Sequence, residues 1–316
     1  MDNLCLYCYE RLNEPGSSDF HEHCSMAFFG TSSAPRLEYS LDQMAELAKK
    51  VVERSVAVPG VQPKLSLTII HEALGKEQAN RFAIVGALGG NYILKPPSAY
   101  YKEMPQNEHV TMRIAEAFGL QTVPSSLIRL ASGELAYITK RIDRTAGGQK
   151  IHMLDMFQIL EAFDKYKSSM EKVGKGIGTY SSNTLLDQLY YFELAVFSFL
   201  TGNNDMHLKN FSLIANGNDW GLSPAYDLLN VIILNPGDDE ELALTLEGKK
   251  KKLQRSHFER FGKALGLNER QVTGAFNRMI SNKPTALQWI DRSFLSKEHK
   301  KSYKVVLEER YARIVL

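Results

Sequence analysis

The sequence predicts an α+β protein with two lobes, a β-rich N-terminal lobe followed by a helical C-terminal lobe. Short runs of β-branched residues fill the first half, which indicates strands. Longer apolar runs at helical spacing fill the second half, which indicates helices. The 316 residues are enough for both lobes to bury a core, and the 44% apolar and 23% charged content is ordinary for a globular protein.

The first half is predicted to be mostly a sheet carrying one helix. Before the sheet, a linker at 32–35 precedes an amphipathic helix at 41–52. The strands are predicted at 65–70, 81–85, 92–95, 126–130 and 136–140. The helix within this region is predicted at 107–118, and Gly119 suits its C-terminal cap.

The second half is predicted to be mainly helical. Its helices are predicted at 154–162, 185–200, 258–265, 269–279 and 297–315. The second of these is apolar enough to be a buried central helix, and Ser296 is placed to cap the last. The glycine-rich stretch 174–178 predicts a loop. The lysine run 249–252 predicts a solvated turn, with contact to an acidic partner or nucleic acid as the alternative.

The charge balance gives no reason to expect nucleic acid or membrane binding. The chain has 38 basic and 36 acidic residues, a net charge of +2. No apolar run approaches the roughly 20 residues of a membrane helix. The start of the sequence, residues 1–5, lacks the basic and apolar regions of a signal peptide. We therefore expect a cytoplasmic protein.

All three cysteines lie near the N-terminus, in a spacing that suits a metal. Cys5 and Cys8 form a C-x-x-C pair, and His21, His23 and Cys24 follow after a short loop. Three thiolates and one imidazole suit tetrahedral Zn²⁺, which would order a segment too short for its own core. Reduced thiols without metal and a redox C-x-x-C are the alternatives. On spacing we favour His21 over His23 as the fourth ligand.

An Asp, an Asn five residues later and a second Asp form the most informative motif. They are Asp205, Asn210 and Asp227. Phosphotransferases of the protein-kinase type use this spacing, with the first Asp as the base for the attacking hydroxyl and the other two residues as Mg²⁺ ligands. The motif alone is common, and a polar loop between apolar segments is the alternative. The residues upstream decide between them.

Upstream residues suit the binding of phosphates. A turn at 59–64 differs from the usual G-x-G-x-x-G loop, but Gly60 permits close backbone approach and Lys64 can neutralise a phosphate. Lys95 ends a strand, where kinases place the lysine that holds the α- and β-phosphates, and Glu108 can pair with it. A plain turn, an edge lysine and a helix N-terminal charge are the structural alternatives. The strand at 138–143 falls where an adenine hinge is expected.

Taken in order, these segments resemble the HipA-type toxin kinases of bacterial toxin–antitoxin operons. The resemblance runs from about Ser55 to the C-terminus. Its six motifs lie at 60–64, 91–96, 107–108, 139–144, 202–212 and 224–227. It implies a kinase-like fold and ATP-dependent serine/threonine kinase activity. The domains it implies are a Cys/His segment at 1–31, a nucleotide-binding lobe at 32–143 and a catalytic lobe at 144–316.

Position by position, the resemblance assigns roles to single residues. Asp205 would be the catalytic base, and Asn210 and Asp227 the Mg²⁺ ligands. His207 would lie beside the phosphates, which Lys95 would hold with the support of Glu108. The remaining ATP-binding residues would be Pro59, Gly60, Val61, Gln62 and Lys64 in the flap, Lys140, Arg141 and Ile142 in the hinge, and Tyr226 beside the metal ligand.

The sequence departs from the family in two places. Long members carry an N-terminal subdomain of about 100 residues, a usual domain size, whereas this chain begins with the cysteine segment and is similar to the short members. Members often autophosphorylate a hydroxyl three residues before the flap glycine, where this chain has Ala57. Ser55 is the nearest hydroxyl and the candidate phosphosite.

The resemblance implies a toxin that phosphorylates an aminoacyl-tRNA synthetase or another translation component and so arrests growth. Its cofactors would be ATP and Mg²⁺. Its partners would be a small antitoxin or missing-subdomain protein and a DNA-binding antitoxin from the same operon. A non-catalytic nucleotide-binding subunit of a repressor complex and a small-molecule kinase are the alternatives.

Overall fold

The computed structural model describes residues 3–13, 18–44, 46–47, 64–71, 80–85, 89–145 and 147–315. The chain divides into two compact units. The first unit comprises Met1–His109 and Val123–Gln149, and the second comprises Val110–Thr122 and Lys150–Leu316. The domain boundaries expected from the sequence stay a prediction.

A five-stranded antiparallel sheet forms the first unit, in the order β2-β1-β3-β5-β4. Its strands are β1 Leu65–His71, β2 Asn80–Val85, β3 Tyr92–Lys95, β4 Ser125–Arg129 and β5 Leu135–Lys140. Each lies within one residue of its predicted bounds. Alternation explains this accuracy, since Leu65 and Leu67 are buried while Ser66 between them is not. The central strand β3 pairs Lys95 with Tyr137 on β5.

Three helical segments accompany this sheet. Helix α1, Glu22–Phe29, was not predicted; Phe28 and Phe29 pack their rings 6.0 Å from Tyr92 and 5.9 Å from Phe82. Segment α2 is helical at 41–44 and 46–47, and the rest of the predicted helix lies outside the described residues. Helix α3, Met104–Ala117, confirms the predicted helix. Its residues up to His109 belong to the first unit and the others to the second.

The second unit is mainly helical with a small antiparallel sheet, in the order β6-β7-β8. Its longer helices are α5 Met170–Tyr180, α6 Thr184–Leu200, α8 Arg255–Ala264, α9 Glu269–Ser281, α10 Lys283–Arg292 and α11 Lys297–Tyr311. The predicted central helix is confirmed, because most of the α6 side chains from Asp187 onward are buried. Ser296 caps α11 by accepting a hydrogen bond from the His299 N–H group, as predicted. Among the described residues, no helix has both the length and the apolar character to cross a membrane.

The helix predicted at 154–162 is wrong. Residues Met153–Asp155 form strand β6, which pairs with β7, Ser212–Asn216. Asp155 then caps the short helix α4, Met156–Ile159, in a capping box with Gln158. Glu161, with a φ of 49°, adopts a left-handed conformation that does not continue a helix. The strong local cap at Asp155 therefore divides one apolar run into two short elements.

The loop predicted at 174–178 is also wrong, because these residues lie within α5. A Cβ atom at Gly174 would come within 2.2 Å of Leu265, and one at Gly178 within 2.8 Å of Gln188. The Gln188 side chain donates a hydrogen bond of 2.7 Å to the Gly174 carbonyl. The glycines therefore allow α5 to pack closely on its neighbours, a reason for glycine in a helix that composition does not reveal.

Two further elements were not predicted. Strand β8, Asp219–Leu222, forms a hairpin with β7 through a turn in which Gly217 has a φ of 64°. The two loop residues, Gly217 and Asn218, form a Gly-Asn pair, a hairpin signal that could have identified the strand. Helix α10 has Pro284 in its first turn, where a proline starts a helix rather than interrupting it.

Candidate active site

A tight turn after α6 holds the loop that carries the Asp205 motif. Gly202 has a φ of 70°, and a Cβ atom there would lie 2.9 Å from the Asn230 side chain. Its carbonyl accepts a hydrogen bond of 3.0 Å from Val231, the first residue of the short helix α7, Val231–Leu234. Both the backbone angle and the close approach require glycine. The loop therefore starts from a position fixed by two helices.

Asp205 is held by hydrogen bonds from within the second unit. Its Oδ1 atom accepts a bond of 2.9 Å from the Tyr166 hydroxyl. Its backbone N–H donates to the Asn203 side chain at 3.3 Å, and its carbonyl accepts from the His207 N–H at 2.8 Å. None of the described residues donates to the second carboxylate oxygen, Oδ2. The arrangement fixes the carboxylate and leaves one oxygen for an incoming hydroxyl.

Asn210 closes the loop onto Asp205. Its Nδ2 atom donates a hydrogen bond of 2.9 Å to the Asp205 carbonyl. The amide nitrogen is therefore engaged, and the side-chain oxygen faces the other way. The spacing of five residues has a structural reason, because the 3₁₀ turn Leu208–Asn210 brings the amide back to the base. An amide oxygen in this position is a suitable ligand for Mg²⁺.

Tyr226 tethers Asp227 to the segment around Asn210. Its hydroxyl lies 2.5 Å from the Ser212 hydroxyl and 3.0 Å from the Lys209 carbonyl. The Ser223 N–H also donates to the Ser212 carbonyl at 2.9 Å. Asp227 has a φ of 56°, a left-handed conformation that Asp and Asn tolerate better than most residues. The contacts of Tyr226 therefore hold the neighbouring Asp227 near the start of β7, which follows Asn210.

The charges of Asp205 and Asp227 both act on His207. Burial lowers the pKa of His207, and the charges of Asp205 and Asp227 oppose this effect. Its ring meets the Tyr166 ring edge-on at 5.1 Å. Since burial has the larger effect, the imidazole is neutral at pH 7.

Several buried polar atoms of the loop have no hydrogen-bond partner among the described residues. They are Asn203 Nδ2, Asn204 Oδ1 and His207 Nδ1. Buried polar atoms in a folded protein are nearly always paired, so three such atoms in five residues need an explanation. A bound polar ligand supplies one. Together with the Asn210 oxygen and the Asp227 carboxylate, they fit a site for Mg²⁺ and phosphate oxygens.

In the first unit, Lys95 and Glu108 form a buried ion pair. Lys95 Nζ lies 2.5 Å from Glu108 Oε1, and the two side chains are 5% and 1% exposed. The Lys95 ammonium also lies 5.2 Å from the centre of the Tyr137 ring. Glu108 is one turn into α3 rather than at its first residue. The pair predicted from the sequence is therefore present, and neither side chain is a solvated surface charge.

The predicted hinge follows the end of β5. Arg141 binds Asp143 in a bidentate contact with distances of 2.8 and 2.6 Å, and these hydrogen bonds lower the pKa of Asp143. The N–H groups of Lys140 and Arg141 donate to backbone carbonyls of the same unit. The Ile142 N–H has no acceptor among the described residues. Of the three hinge residues, Ile142 therefore has the backbone donor available for a ligand.

Of the predicted flap, only Lys64 is among the described residues. Lys64 is exposed and directly precedes β1. The flap residues Pro59, Gly60, Val61 and Gln62 lie outside the described residues, as do the candidate phosphosite Ser55 and Ala57.

The four predicted zinc ligands lie together in the first unit. The ligand atoms of Cys5, Cys8, His21 and Cys24 all lie within 4.8 Å of one another, and these cysteines form no disulfide. His21 rather than His23 joins the thiols, as favoured from the spacing. A hydrogen bond between the thiols of Cys5 and Cys8 lowers the pKa of Cys5 to about 4 and raises that of Cys8.

The sequence did not indicate Tyr166 or Asn203 as parts of the site. Tyr166 is 39 residues before Asp205, in a polar segment with no motif, and only the fold brings its hydroxyl to the carboxylate. Asn203 lies within the motif at 202–212, but the hydrogen bond that its side chain accepts from the Asp205 N–H depends on the turn at Gly202. Both act on the orientation of Asp205.

Comparison with curated proteins gives several related kinases. The chain is 30% identical over 211 residues to a Haemophilus influenzae protein named "Putative kinase", covering 62% of this chain and 59% of that protein. It is 37% identical over 166 residues to "Putative kinase Y4dM" of Sinorhizobium fredii, covering 48% and 40%. It is 28% identical over 214 residues to "Serine/threonine-protein kinase toxin HipA" of Shewanella oneidensis, covering 61% and 47%. The chain thus spans 40 to 59% of the length of these relatives.

Solved structures and a family model agree with this relationship. A Shewanella oneidensis complex of HipA, HipB and operator DNA matches with a TM-score of 0.66 at 21% identity, covering 85% of this chain and 70% of that one. The Helicobacter pylori proinflammatory kinase CtkA matches with a TM-score of 0.52 at 17% identity, covering 71% and 87%. These likenesses confirm the α+β kinase-like fold. The model for the HipA-like C-terminal domain matches residues 56–287. The chain therefore belongs to the HipA-like C-terminal domain family.

Proposed function

We propose that the chain is a serine/threonine protein kinase that uses MgATP. The observation that carries the proposal is the arrangement around Asp205, with the Asn210 amide bonded to its carbonyl at 2.9 Å and Asp227 tethered alongside through Tyr226. Hydrogen bonds orient the Asp205 carboxylate. The proposed metal ligands are the side-chain oxygens of Asn210 and Asp227. Phosphate transfer requires this combination of a base and metal ligands.

In this proposal each residue has one task. Asp205 accepts the proton of the acceptor hydroxyl through Oδ2, while Tyr166 holds Oδ1. Asn210 and Asp227 bind magnesium, which neutralises charge on the phosphate oxygens when it is present. The neutral His207 offers Nδ1, a buried atom without a partner among the described residues, for a hydrogen bond to the phosphates. Positioning and electrostatics then supply most of the rate.

The first unit supplies nucleotide binding. Lys95, aimed by Glu108, holds the phosphates, and the Ile142 N–H donates a hydrogen bond to a ring nitrogen of adenine. Lys140 and Arg141 complete the hinge, and Lys64 with Pro59, Gly60, Val61 and Gln62 forms the flap. Ser55 stays the candidate site of autophosphorylation, to be checked by mass spectrometry after incubation with ATP.

A pair of variants separates the two roles of Lys95. In Lys95→Met the buried Glu108 loses its partner, so we expect the free energy of unfolding to fall by roughly 3–5 kcal/mol. In the double variant Lys95→Met/Glu108→Gln the uncompensated charge is gone, so most of this stability should return. Nucleotide affinity should stay low in both variants, because Lys95 is the phosphate ligand. Denaturant unfolding and binding of an ATP analogue measure the two quantities.

If the double variant recovers both stability and nucleotide affinity, Lys95 has only a structural role. Lys102→Met provides a comparison at an exposed lysine of the same unit. It should leave the unfolding free energy unchanged.

The proposed biological role is that of a growth-arresting toxin. A Shewanella relative is named a serine/threonine-protein kinase toxin, and a structurally similar chain was solved with HipB and operator DNA. By analogy, we propose that an antitoxin protein and a DNA-binding partner from the same operon restrain this chain. A net charge of +2 gives it little affinity of its own for DNA. The proposed substrate class is an aminoacyl-tRNA synthetase or another translation component.

Expression tests this role. Production of the chain alone in a bacterium should slow growth, since free kinase would modify its target, and co-expression of the neighbouring operon proteins should relieve the effect. An Asp205→Asn chain produced at the same level should be harmless. If the chain is an active kinase and its production at high level leaves growth unchanged, we conclude that it is a small-molecule kinase and not a toxin. If the chain binds nucleotide without transferring phosphate, it is a regulatory subunit of a repressor complex.

A further inference from the structure

The cluster of Cys5, Cys8, His21 and Cys24 has the dimensions of a zinc site. Its four ligand atoms lie within 4.8 Å of one another. The His21 Nδ1 atom is 3.4 Å from Cys8 Sγ and 3.8 Å from Cys24 Sγ. Zinc bonds of about 2.3 Å to sulfur and 2.0 Å to nitrogen put tetrahedral ligands roughly 3.5–3.8 Å apart. A small contraction of the cluster therefore completes the coordination.

The second nitrogen of His21 fixes the ring in the form that binds metal. Its Nε2 atom lies 2.9 Å from the Arg11 carbonyl oxygen. A carbonyl oxygen only accepts hydrogen bonds, so Nε2 carries the proton, and in the neutral ring Nδ1 presents a lone pair to the three sulfurs. Metal-binding histidines are usually oriented in this way by a second partner.

The neighbouring His23 provides a natural contrast. Its ring stacks on that of His21 with centres 5.1 Å apart, but it is exposed and takes no part in the cluster. The two histidines share a chain segment and differ only in what they face. They therefore form a matched pair for experiments.

A buried hydrogen bond connects this cluster to helix α3. Tyr9 directly follows Cys8, and its backbone N–H donates to the Cys5 carbonyl at 3.0 Å. A left-handed conformation at Tyr9, with a φ of 65°, accompanies a buried ring whose hydroxyl is 2.8 Å from His109 Nδ1. His109 is the residue after Glu108, the partner of Lys95. The turn that carries two thiols thus also places the side chain that contacts α3.

We propose that Cys5, Cys8, His21 and Cys24 bind one zinc ion, and that the metal, by fixing the turn at Tyr9, orders the first turns of helix α3. The cluster lies at the start of the chain and outside the kinase motifs. The hydrogen bond between Tyr9 and His109 is what joins it to the helix that carries Glu108.

Metal content tests the first part. Protein purified without chelators should carry about one zinc ion per chain, the content of one tetrahedral site. His23→Gln should keep the metal, whereas His21→Gln and Cys8→Ser should lose most of it. Metal-free protein should take up Co²⁺ with the absorption of a tetrahedral thiolate complex. If the parent protein contains no zinc and takes up neither Zn²⁺ nor Co²⁺, the proposed site is wrong. If mass spectrometry finds a Cys5–Cys8 disulfide, the two thiols are a redox pair and not metal ligands.

Hydrogen exchange of the full chain tests the second part. Removal of zinc should accelerate exchange in the first turns of α3, at 104–109. Tyr9→Phe should keep the metal and, by losing one buried hydrogen bond, accelerate the same amides roughly 2- to 13-fold. If neither change alters exchange in α3 while zinc still binds, the proposed connection is wrong. Neither readout depends on phosphate transfer, so these results are independent of the proposed kinase activity.

Discussion

Replacement of Asp205 by Asn is expected to lower kcat by roughly 10²–10⁴-fold, the usual contribution of a general base. This corresponds to about 3–5 kcal/mol of activation free energy. Asn keeps the size of the side chain and an oxygen that can accept from Tyr166, and the backbone carbonyl still accepts from Asn210. The fold should therefore survive. Phosphate transfer measured at saturating MgATP gives the effect on kcat.

Asp219→Asn is the matched control for this variant. Asp219 is an exposed carboxylate of the same unit, at the start of β8 in the hairpin with β7 rather than in the loop that holds Asp205. Its loss should change kcat by less than twofold. If Asp205→Asn transfers phosphate as fast as the parent protein, Asp205 is not the base and the assignment of the whole loop falls.

Replacement of Asp227 by Asn should weaken MgATP binding and abolish most phosphate transfer. The change removes the only charged metal ligand in the proposal while keeping its shape. Asn also tolerates the left-handed backbone at this position, where φ is 56°, so backbone strain does not confuse the result. Loss of a residue that merely supports a metal ligand costs roughly 10–100-fold in metal affinity, and loss of the ligand's charge should cost at least as much.

The metal dependence of binding identifies the cause. Compared with the parent protein, the Asp227→Asn variant should bind ATP more weakly when magnesium is present. In a chelating buffer the two affinities should be nearly equal, because Asp227 acts through the ion. Calorimetry in the two buffers makes the comparison. Equal affinity of the parent and Asp227→Asn for MgATP, together with normal transfer, would remove Asp227 from the metal site.

The parts of the fold that the sequence predicted well are those set by local rules. The five strands of the first unit follow from alternating burial, and α6 follows from a nearly continuous apolar run. The two errors have different causes. The helix predicted at 154–162 is interrupted by a local signal, the cap at Asp155, whereas the loop predicted at 174–178 is a helix that packs closely on its neighbours. Position 174 of helix α5 is a glycine because a neighbouring side chain occupies the space that a Cβ atom would need. No property of residues 174–178 alone reveals that neighbour.

The candidate site follows the same division. Asp205 and Asn210 were identifiable because their spacing is that of one hydrogen-bonded turn, in which the Asn amide reaches the Asp carbonyl. Tyr166 was not, because its contact with Asp205 joins residues 39 positions apart. The cysteine segment lies between these cases. The spacing of its metal ligands could be recognised in the sequence. The hydrogen bond between Tyr9 and His109, 100 residues later, could not.

The central claim is that this chain transfers phosphate from ATP to a protein. The most direct measurement is incubation of the purified chain with γ-labelled ATP, magnesium and a bacterial lysate, followed by identification of the labelled proteins. The proposal predicts one or a few labelled proteins on serine or threonine, with the label lost when Asp205→Asn replaces the parent or when magnesium is chelated. If a folded chain that binds MgATP labels no protein, or labels the same proteins after Asp205→Asn, the chain is not the protein kinase proposed.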